Sequence, residues 1–507
     1  MINEIFFLSI IFLSGSIFAY VLLKDKHAVY ALGFIIGSAV QIVIGTFLIM
    51  TGFPVSPVVN VLLVFLVSIV CFIFRKKLSC VLEIKLFNAL LFTLVSVFVI
   101  SIVVYSLFYE GWAKYTNDSF EFLDLALVLA GRGGSVLGQY YLTSRLFGPA
   151  LLQLPATAAG ELYLRAVFPL LGISVVLALL WFVYRGCCGR VRTGKLLACV
   201  ILSGLLLISN NRFIFHSFYI HSHMVCAAMV LTVSACGWLM IHDKKEYQNG
   251  YLAIISVALF ALIVSRAESV IIGIFALIPL ISDVKTISIR QKQALLFAFG
   301  IPTTIYYGFV ILTLGGNINA DTFSMGDLAP IIYCLLGILV ICLAFLLKVL
   351  YNLKLFAYLA GRATIIAECG LWLSLLIYYI TDPWLLRWTI TAFYSLFVAG
   401  EGAWGLSVVF LIIITLLILS FIKNPDSMTA LRFPVTVFMP IMMISTHLQG
   451  GAPRAGPGGS FNRMFIQIVP LVVLFIIMSI ALGESRFAKC KDLNEEISVD
   501  EEKSTAV

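Results

Sequence analysis

Three carboxylates come first among the residues that could do chemistry. In the segment NDSFEFLDLA, Asp118, Glu121 and Asp124 recur at intervals of three. Apolar Phe122, Leu125, Ala126 and Leu129 share one helical face, so this is a short amphipathic helix lying along a surface. A carboxylate at a helix N-terminus is held ionised and oriented by the backbone dipole, and such a group can act as a general base. Asp118 or Asn117 also suits the N-cap, with Glu121 in the capping-box position three residues after Asp118. Capping and catalysis are compatible, so Asp118, Glu121 and Asp124 are the catalytic candidates. Arginines form a second set: Arg266 in SRAESVIIGIF, Arg463 in SFNRMFIQIVPL and Arg212 in NNRF stand at the edges of apolar runs. Their planar forks suit a phosphate group, and they are the phosphate-binding candidates. Glu268 could pair with Arg266 as a structural salt bridge or face a ligand. His216, His221 and His223 crowd into NRFIFHSFYIHSHM. His216 and His223 share a face if one helix covers both, which leaves room for a divalent metal beside the acids. Interfacial histidines more often hydrogen-bond backbone or headgroups, so no cofactor is required. His221, His223, Asn211 and Glu268 complete the substrate-binding candidates.

These residues are embedded in an unusual chain. Of 507 residues, 62% are hydrophobic and 11% charged, with a mean hydropathy of +1.08. Soluble proteins run at about 45–50% apolar and about 25% charged, because their outside must face water. A bilayer removes that conflict. Apolar runs at 4–23, 28–50, 56–74, 86–108, 166–184, 196–209, 219–241, 250–265, 268–282, 293–314, 329–350, 365–380, 403–422, 433–446 and 464–483 predict about fifteen transmembrane helices. The expected fold is an all-α integral membrane protein. The pair 250–265 and 268–282, interrupted by Arg266, Ala267 and Glu268, also reads as one long run with a charged kink. The first run lacks a basic lead and a cleavage site, which predicts a retained helix.

Lys and Arg resist translocation and mark cytoplasmic loops. Of 33 basic residues, 24 fall on one side of the predicted bundle, from Lys24 and Lys26 through Arg185, Lys244, Lys285 and Lys423 to the tail. The nine on the other side are Lys114, Arg132, Arg145, Arg165, Arg212, Arg266, Arg387, Arg454 and Arg463. The N-terminus is then outside and the C-terminus inside. Eight of those nine are Arg, whereas Lys dominates inside, and that selection matches a phosphate-bearing lipid headgroup site as well as structural ion pairs.

The domain reading is an N-terminal set of transmembrane helices over 1–85, a transmembrane core over 86–484 with an outer loop at 109–165, and a disordered cytoplasmic tail over 485–507. Cytoplasmic loops are short and basic, with no P-loop and no GxGxxG, so no nucleotide or nucleic-acid site is expected there. The glycine-rich stretch Gly450 to Gly459 reads as a mobile loop over a ligand. Cysteines show no CxxC spacing and no disulfide framework. Glu368 falls inside a predicted span, where it needs a partner.

The segment NDSFEFLDLA directly after a predicted span resembles the first external loop of GT-C-type glycosyltransferases, polytopic enzymes that take sugars from a polyprenyl-phosphate carrier. The Arg266–Glu268 pair at a helix end and Arg463 at the start of the last span resemble further features of that superfamily. The resemblance implies a lipid-linked sugar donor, an acceptor that is a glycan, lipid or protein, and membrane lipids as surroundings. It implies a site facing the periplasm or exterior, in a bacterial inner membrane. It also implies a second amphipathic helix, at about Ser144 to Leu154. One departure is plain: the acidic loop usually follows the first helix and here follows the fourth. An O-antigen polymerase or ligase is the near alternative. A flippase or transporter of lipid-linked saccharides is the alternative from another class, with Glu368 as its best clue.

Overall fold

The computed structural model describes residues 2–53, 55–73, 117–131, 146–160, 163–314, 325–448 and 460–485. The predicted span 86–108, the glycine-rich stretch 450–459 and the tail beyond 485 lie outside the described residues. What is described is almost wholly α-helical, as the apolar runs require. Among the described residues, the one sheet is a two-residue antiparallel pairing of β1 (Ile422–Lys423) with β2 (Glu484–Ser485).

The helices are α1 (Ile2–Leu23), α2 (Lys26–Met50), α3 (Pro57–Ile73), α4 (Asn117–Leu129), α5 (Phe147–Ala159), α6 (Val167–Cys187) and α7 (Thr193–Ile208). After α8 (Asn211–Ser217) come α9 (Ser222–His242), α10 (Gln248–Ile263), α11 (Ser269–Ser282), α12 (Ile289–Leu314) and α13 (Met325–Tyr351). The remainder are α14 (Lys354–Ala360), α15 (Ala363–Thr381), α16 (Pro383–Phe393), α17 (Ser407–Phe421), α18 (Thr429–Leu448), α19 (Ser460–Met464) and α20 (Val469–Leu482). Among the described residues, nine helices are long and apolar enough to cross a membrane, or eleven if two bent pairs each count as one crossing. Three shorter apolar helices, α3, α11 and α17, accompany them. The chain is therefore a multi-pass, all-α membrane protein. Among the described residues the expected fifteen is not confirmed: the predicted span 86–108 lies outside them, and several other runs are cut by bends or form helices of only 14–17 residues.

The run over 250–282 is two helices and not one kinked rod. The chain breaks at 264–268, and α11 folds back beside α10. Both return to one end of the bundle, where the Gln291 amide reaches Gln248 and Asn249 at 3.3 Å.

Close backbone approach holds the first hairpin. A Cβ on Gly15 would lie 1.8 Å from the Gly33 carbonyl oxygen, and one on Gly37 would lie 2.0 Å from that of Ile11. Without glycine at this crossing α1 and α2 could not meet, and in lipid such contact replaces the hydrophobic drive between helices. At the centre stands α9, packed on α6, α10, α11, α18 and α20, with 94% of its most apolar window buried. It spans the bundle at about 1.5 Å per residue, so its ends define two polar layers.

At the Lys-rich end, Asp243 accepts from Arg185 at 2.8 and 2.9 Å and from the Tyr251 hydroxyl at 2.8 Å. Asp25 caps α2 by accepting from the His27 amide at 2.8 Å, and it also accepts from Trp181 Nε1 at 3.1 Å. One knot thus ties α2, α6, α9 and α10. Burial opposes the Asp243 charge, but hydrogen bonds from the Lys244 amide, Tyr251 and Arg185 outweigh it and leave the carboxyl below its ordinary pKa. Glu368 has the partner it needs: Arg432 on α18 reaches it at 2.8 and 3.0 Å.

Two elements carry the other polar layer. Helix α4 buries Phe122, Leu125 and Ala126 as the apolar pattern predicts, leaves Leu129 half-buried, and pins itself through Ser119 Oγ donating to the Ile220 carbonyl at 2.9 Å. Helix α5 departs from the expected amphipathic helix. It starts at Phe147 and is buried from there through Thr157. Its polar residue turns inward: Gln153 accepts from the Leu164 amide at 2.7 Å and donates to the Leu164 carbonyl at 3.2 Å. The Gln41 amide of α2 donates to the Leu151 carbonyl at 2.8 Å. Satisfied amides let a short helix sit inside apolar surroundings.

Candidate functional site

The three groups of candidates come from distant parts of the chain. Asp118 enters from the first turn of α4 and not from its cap, since the helix begins at Asn117. Arg463 enters from α19, which meets α20 at a 46° bend after a 3-10 turn over Phe465–Gln467. The His-rich segment lies between α8 and α9. One helix does not cover it, contrary to the condition for His216 and His223 to share a face. The chain leaves α8 after Ser217, runs through Phe218 to His221 without helix, and restarts at Ser222. The turn itself brings the rings together: His216 and His223 lie 5.5 Å apart, centroid to centroid.

Arg463 Nη1 donates to Asp118 Oδ2 in a short ion pair. Tyr219 ties the same pair, donating to Asp118 at 3.3 Å and accepting from Arg463 Nη1 at 3.1 Å. His221 Nε2 stands 3.9 Å from Asp118 Oδ2. The His221 ring is sandwiched between Tyr219, at 5.2 Å, and His223, at 4.1 Å and nearly parallel, with Phe122 edge-on at 5.3 Å. Its Nδ1 meets Ser222 Oγ at 3.2 Å, and Ser222 Oγ lies 3.4 Å from Arg266 Nη1. Arg266 grips Glu268 with Nε–Oε2 at 2.9 Å and Nη2–Oε1 at 3.4 Å. A continuous polar chain therefore runs from Arg463 through Asp118, His221, Ser222 and Arg266 to Glu268. Its histidines are almost wholly buried, while Asp118 and Arg463 keep about a fifth of their side-chain surface exposed.

Arg463 uses Nη1 for its two partners, while its buried Nε has no hydrogen-bond partner among the described residues. A desolvated guanidinium N–H without an acceptor is costly, and a phosphate or carboxylate oxygen would relieve it. Arg212 has its acceptor in hand. Its Nε donates to the Gly402 carbonyl, and its guanidinium lies 5.3 Å over the Phe215 ring. Asn462 reaches the same carbonyl at 3.4 Å and also accepts from Trp404 Nε1. Arg212 and Asn462 thus clip the 400–406 loop beside the site. Asn211 opens α8, and its neighbour Asn210 is the residue that caps it, accepting from the Phe213 amide at 3.1 Å. Glu121 and Asp124 follow Asp118 on α4 by about 4.5 and 9 Å of rise, half-buried.

Among the described residues, no group of three or more His, Cys, Asp or Glu is placed to hold a metal ion. The His221 and His223 rings stack face to face and do not converge on one point. His223 Nδ1 meets the Gln467 amide at 3.3 Å.

Sequence reasoning missed Tyr219, Ser222 and Gln467. Tyr219 lies inside the His-rich segment and was legible as part of it. Gln467 is a lone polar residue in an apolar run, four residues after Arg463, and that is the signal that could have found it. The arrangement gives a carboxylate, a cation with a spare donor, a phenol and an imidazole within one interfacial layer. No family model, curated protein or solved structure matches the chain.

Proposed function

We propose that this chain is a membrane glycosyltransferase that moves a sugar from a polyprenyl-phosphate-linked donor to a glycan, lipid or protein acceptor at the outer face of a bacterial inner membrane. The observation that carries this reading is the pairing of Asp118 with an Arg463 whose Nε donor is unused. Transfer needs a base for the acceptor hydroxyl and a cation for the departing phosphate, and the two stand together. The acceptor oxygen gives its proton to Asp118 and attacks the anomeric carbon. The anomeric carbon–oxygen bond to phosphate breaks, and the polyprenyl phosphate leaves with the electron pair, its charge balanced by Arg463. A lipid-linked donor arrives laterally from the bilayer, so no cytoplasmic nucleotide site is needed.

A transporter reading drew on Glu368 as an intramembrane carboxylate. That group is held by Arg432 near the Lys-rich end, far along the helices from the Asp118 layer, which supports a structural role for it and favours the enzyme. The test uses membranes loaded with polyprenyl-phosphate sugars carrying a radiolabel in the sugar. Transfer of label to cell-envelope material by the wild type and its loss in Asp118→Asn are expected. Equal transfer by both proteins would remove Asp118 from the reaction.

A further inference from the structure

A second polar recess lies at the end of the bundle opposite Asp118. The chain turns there from α17 through β1 and a 3-10 turn over Asp426–Met428 into α18. Ser427 in that turn meets His242 Nδ1, at the far end of α9, at 3.2 Å, which places the turn in the Lys-rich layer. The turn frames a cavity of about 390 Å³, lined among others by Leu419, Lys423, Asn424, Asp426, Thr429 and Arg432. Both signs of charge line it. Lys423 is exposed and forms no ion pair among the described residues. Arg432 gives both Nη groups to Glu368, at 2.8 and 3.0 Å. Asp426 meets Lys285 at 3.4 Å, a weak contact because the two side chains are 97% and 85% exposed. Asn424 Oδ1 is buried and accepts no hydrogen bond among the described residues. A buried carbonyl oxygen without a donor is destabilising, and an ammonium or hydroxyl group relieves it. An apolar strip leads away along α17. Leu416, one turn back from Leu419, is 58% exposed, and Ile413 and Phe410 continue the strip.

We propose that this recess binds a phospholipid with a phosphoethanolamine headgroup, an acyl chain lying along Leu416, Ile413 and Phe410. The phosphate stands beside Lys423 and Arg432. The ammonium faces Asp426 and donates to Asn424 Oδ1. A lining of mixed sign selects a zwitterion over a purely anionic headgroup, which offers Asp426 no counter-charge. A choline headgroup carries no N–H for Asn424. Free phosphoethanolamine has the same polar groups, and the apolar strip is what assigns the ligand to a lipid. The site is separate from Asp118 and Arg463 and does not rest on the proposed transfer reaction.

The test takes the full-length protein purified in detergent and adds dioleoyl phosphatidylethanolamine, phosphatidylcholine or phosphatidylglycerol, with bound lipid read by native mass spectrometry. Phosphatidylethanolamine should bind about fivefold or more tightly than the other two. Asn424→Ala should remove its advantage over phosphatidylcholine and leave phosphatidylcholine binding unchanged, since choline never engages that carbonyl. Lys423→Gln should weaken all three by about twofold to fivefold, the scale of an exposed ion pair. Melting temperatures identify any variant that fails to fold, and the wild-type ranking decides the matter without variants. Equal affinity for the three lipids, or a preference for phosphatidylglycerol, would overturn the proposal. An ethanolamine preference that survives in Asn424→Ala would place the headgroup elsewhere on the protein. Competition by free phosphoethanolamine at the lipid's own concentration would show a soluble ligand and remove the lipid from the site.

Discussion

Asp118 and Arg463, 345 residues apart in sequence, form one ion pair, and Tyr219 hydrogen-bonds both members. The pair joins α4 to the bend before α20, so the base and the cation of the proposed reaction are fixed relative to each other before a donor arrives.

Removing the carboxylate should separate binding from chemistry. Asp118→Asn keeps the shape of the side chain but not its charge, and Arg463 is then left with more of its charge for a phosphate. Transfer should fall by at least about two orders of magnitude, the usual scale for a positioned general base. Binding of a phosphodiester headgroup should stay level or tighten. Weaker headgroup binding in this variant would show that Asp118 organises the site instead of competing with the ligand.

Arg463 offers a test of geometry against charge. Arg463→Lys keeps the cation but loses the planar fork and the spare Nε donor. Arg463→Ala loses a charge-assisted hydrogen bond of about 1.5–3 kcal/mol, or one to two orders of magnitude in affinity. Headgroup affinity should therefore fall in the order wild type, Lys, Ala. Equal affinities across the three proteins would eliminate Arg463 as the phosphate contact.

The orientation follows from charge bias and is tested by labelling. In a cysteine-free background, Thr51→Cys lies in the exposed turn between α2 and α3, and Thr193→Cys lies at the opposite end of the bundle. A membrane-impermeant maleimide added to intact cells should label position 51 and spare position 193. The reverse pattern would put the Asp118 layer on the cytoplasmic side and overturn the periplasmic assignment.

The Asp243 knot predicts an acid-sensitive contribution to stability. Its carboxyl lies below the ordinary value in the folded chain. The stabilisation is therefore present above the unfolded value of about 4 and is lost as pH falls through the lower folded value. Thermal melts in nanodiscs should show Asp243→Asn less stable than wild type at pH 7, with the gap narrowing below about pH 4. A gap that widens in acid would contradict the sign.

Much of this fold was legible because a bilayer imposes one rule on every span: the residues must be apolar and the backbone must bond itself. Loop charges, counted the same way, separated the Lys-rich end from the Arg-bearing one. Local signals also read correctly, as in the apolar face of α4, where Phe122, Leu125 and Ala126 are buried as their spacing requires. What was not legible depends on contacts across the chain. Nothing in FHSFYIHS marks a break, having neither Gly nor Pro, yet α8 and α9 separate there, and Tyr219 in the turn is held by Asp118 and Arg463 from elsewhere. The inward face of α5 was hidden for a similar reason. Gln153 resembles a polar surface residue until Leu164 is found to satisfy it. The Arg266–Glu268 pair, two residues apart, was legible from spacing; that Asp118 meets Arg463 is information a spacing pattern does not hold.

Arg266 and Glu268 separate the phosphate-clamp expectation from a structural one. Both side chains are 13% exposed and meet as a fork on a carboxylate, at 2.9 and 3.4 Å. Removing one partner of a largely buried pair leaves the other uncompensated, at a cost of about 3–5 kcal/mol, whereas removing both costs far less. If the pair is structural, Arg266→Ala and Glu268→Ala should each lower the melting temperature, and the double variant should regain most of the loss. Headgroup affinity should follow folding and recover with it. If Arg266 also holds phosphate, the double variant should recover stability while its affinity stays one to two orders of magnitude weak. The ion pair favours the structural outcome, because Glu268 lies 2.9 Å from Arg266 Nε, although that N–H, like Nε of Arg463, has no well-aligned hydrogen-bond acceptor among the described residues. Recovered stability with persistently weak binding would therefore move the main phosphate contact from Arg463 to Arg266.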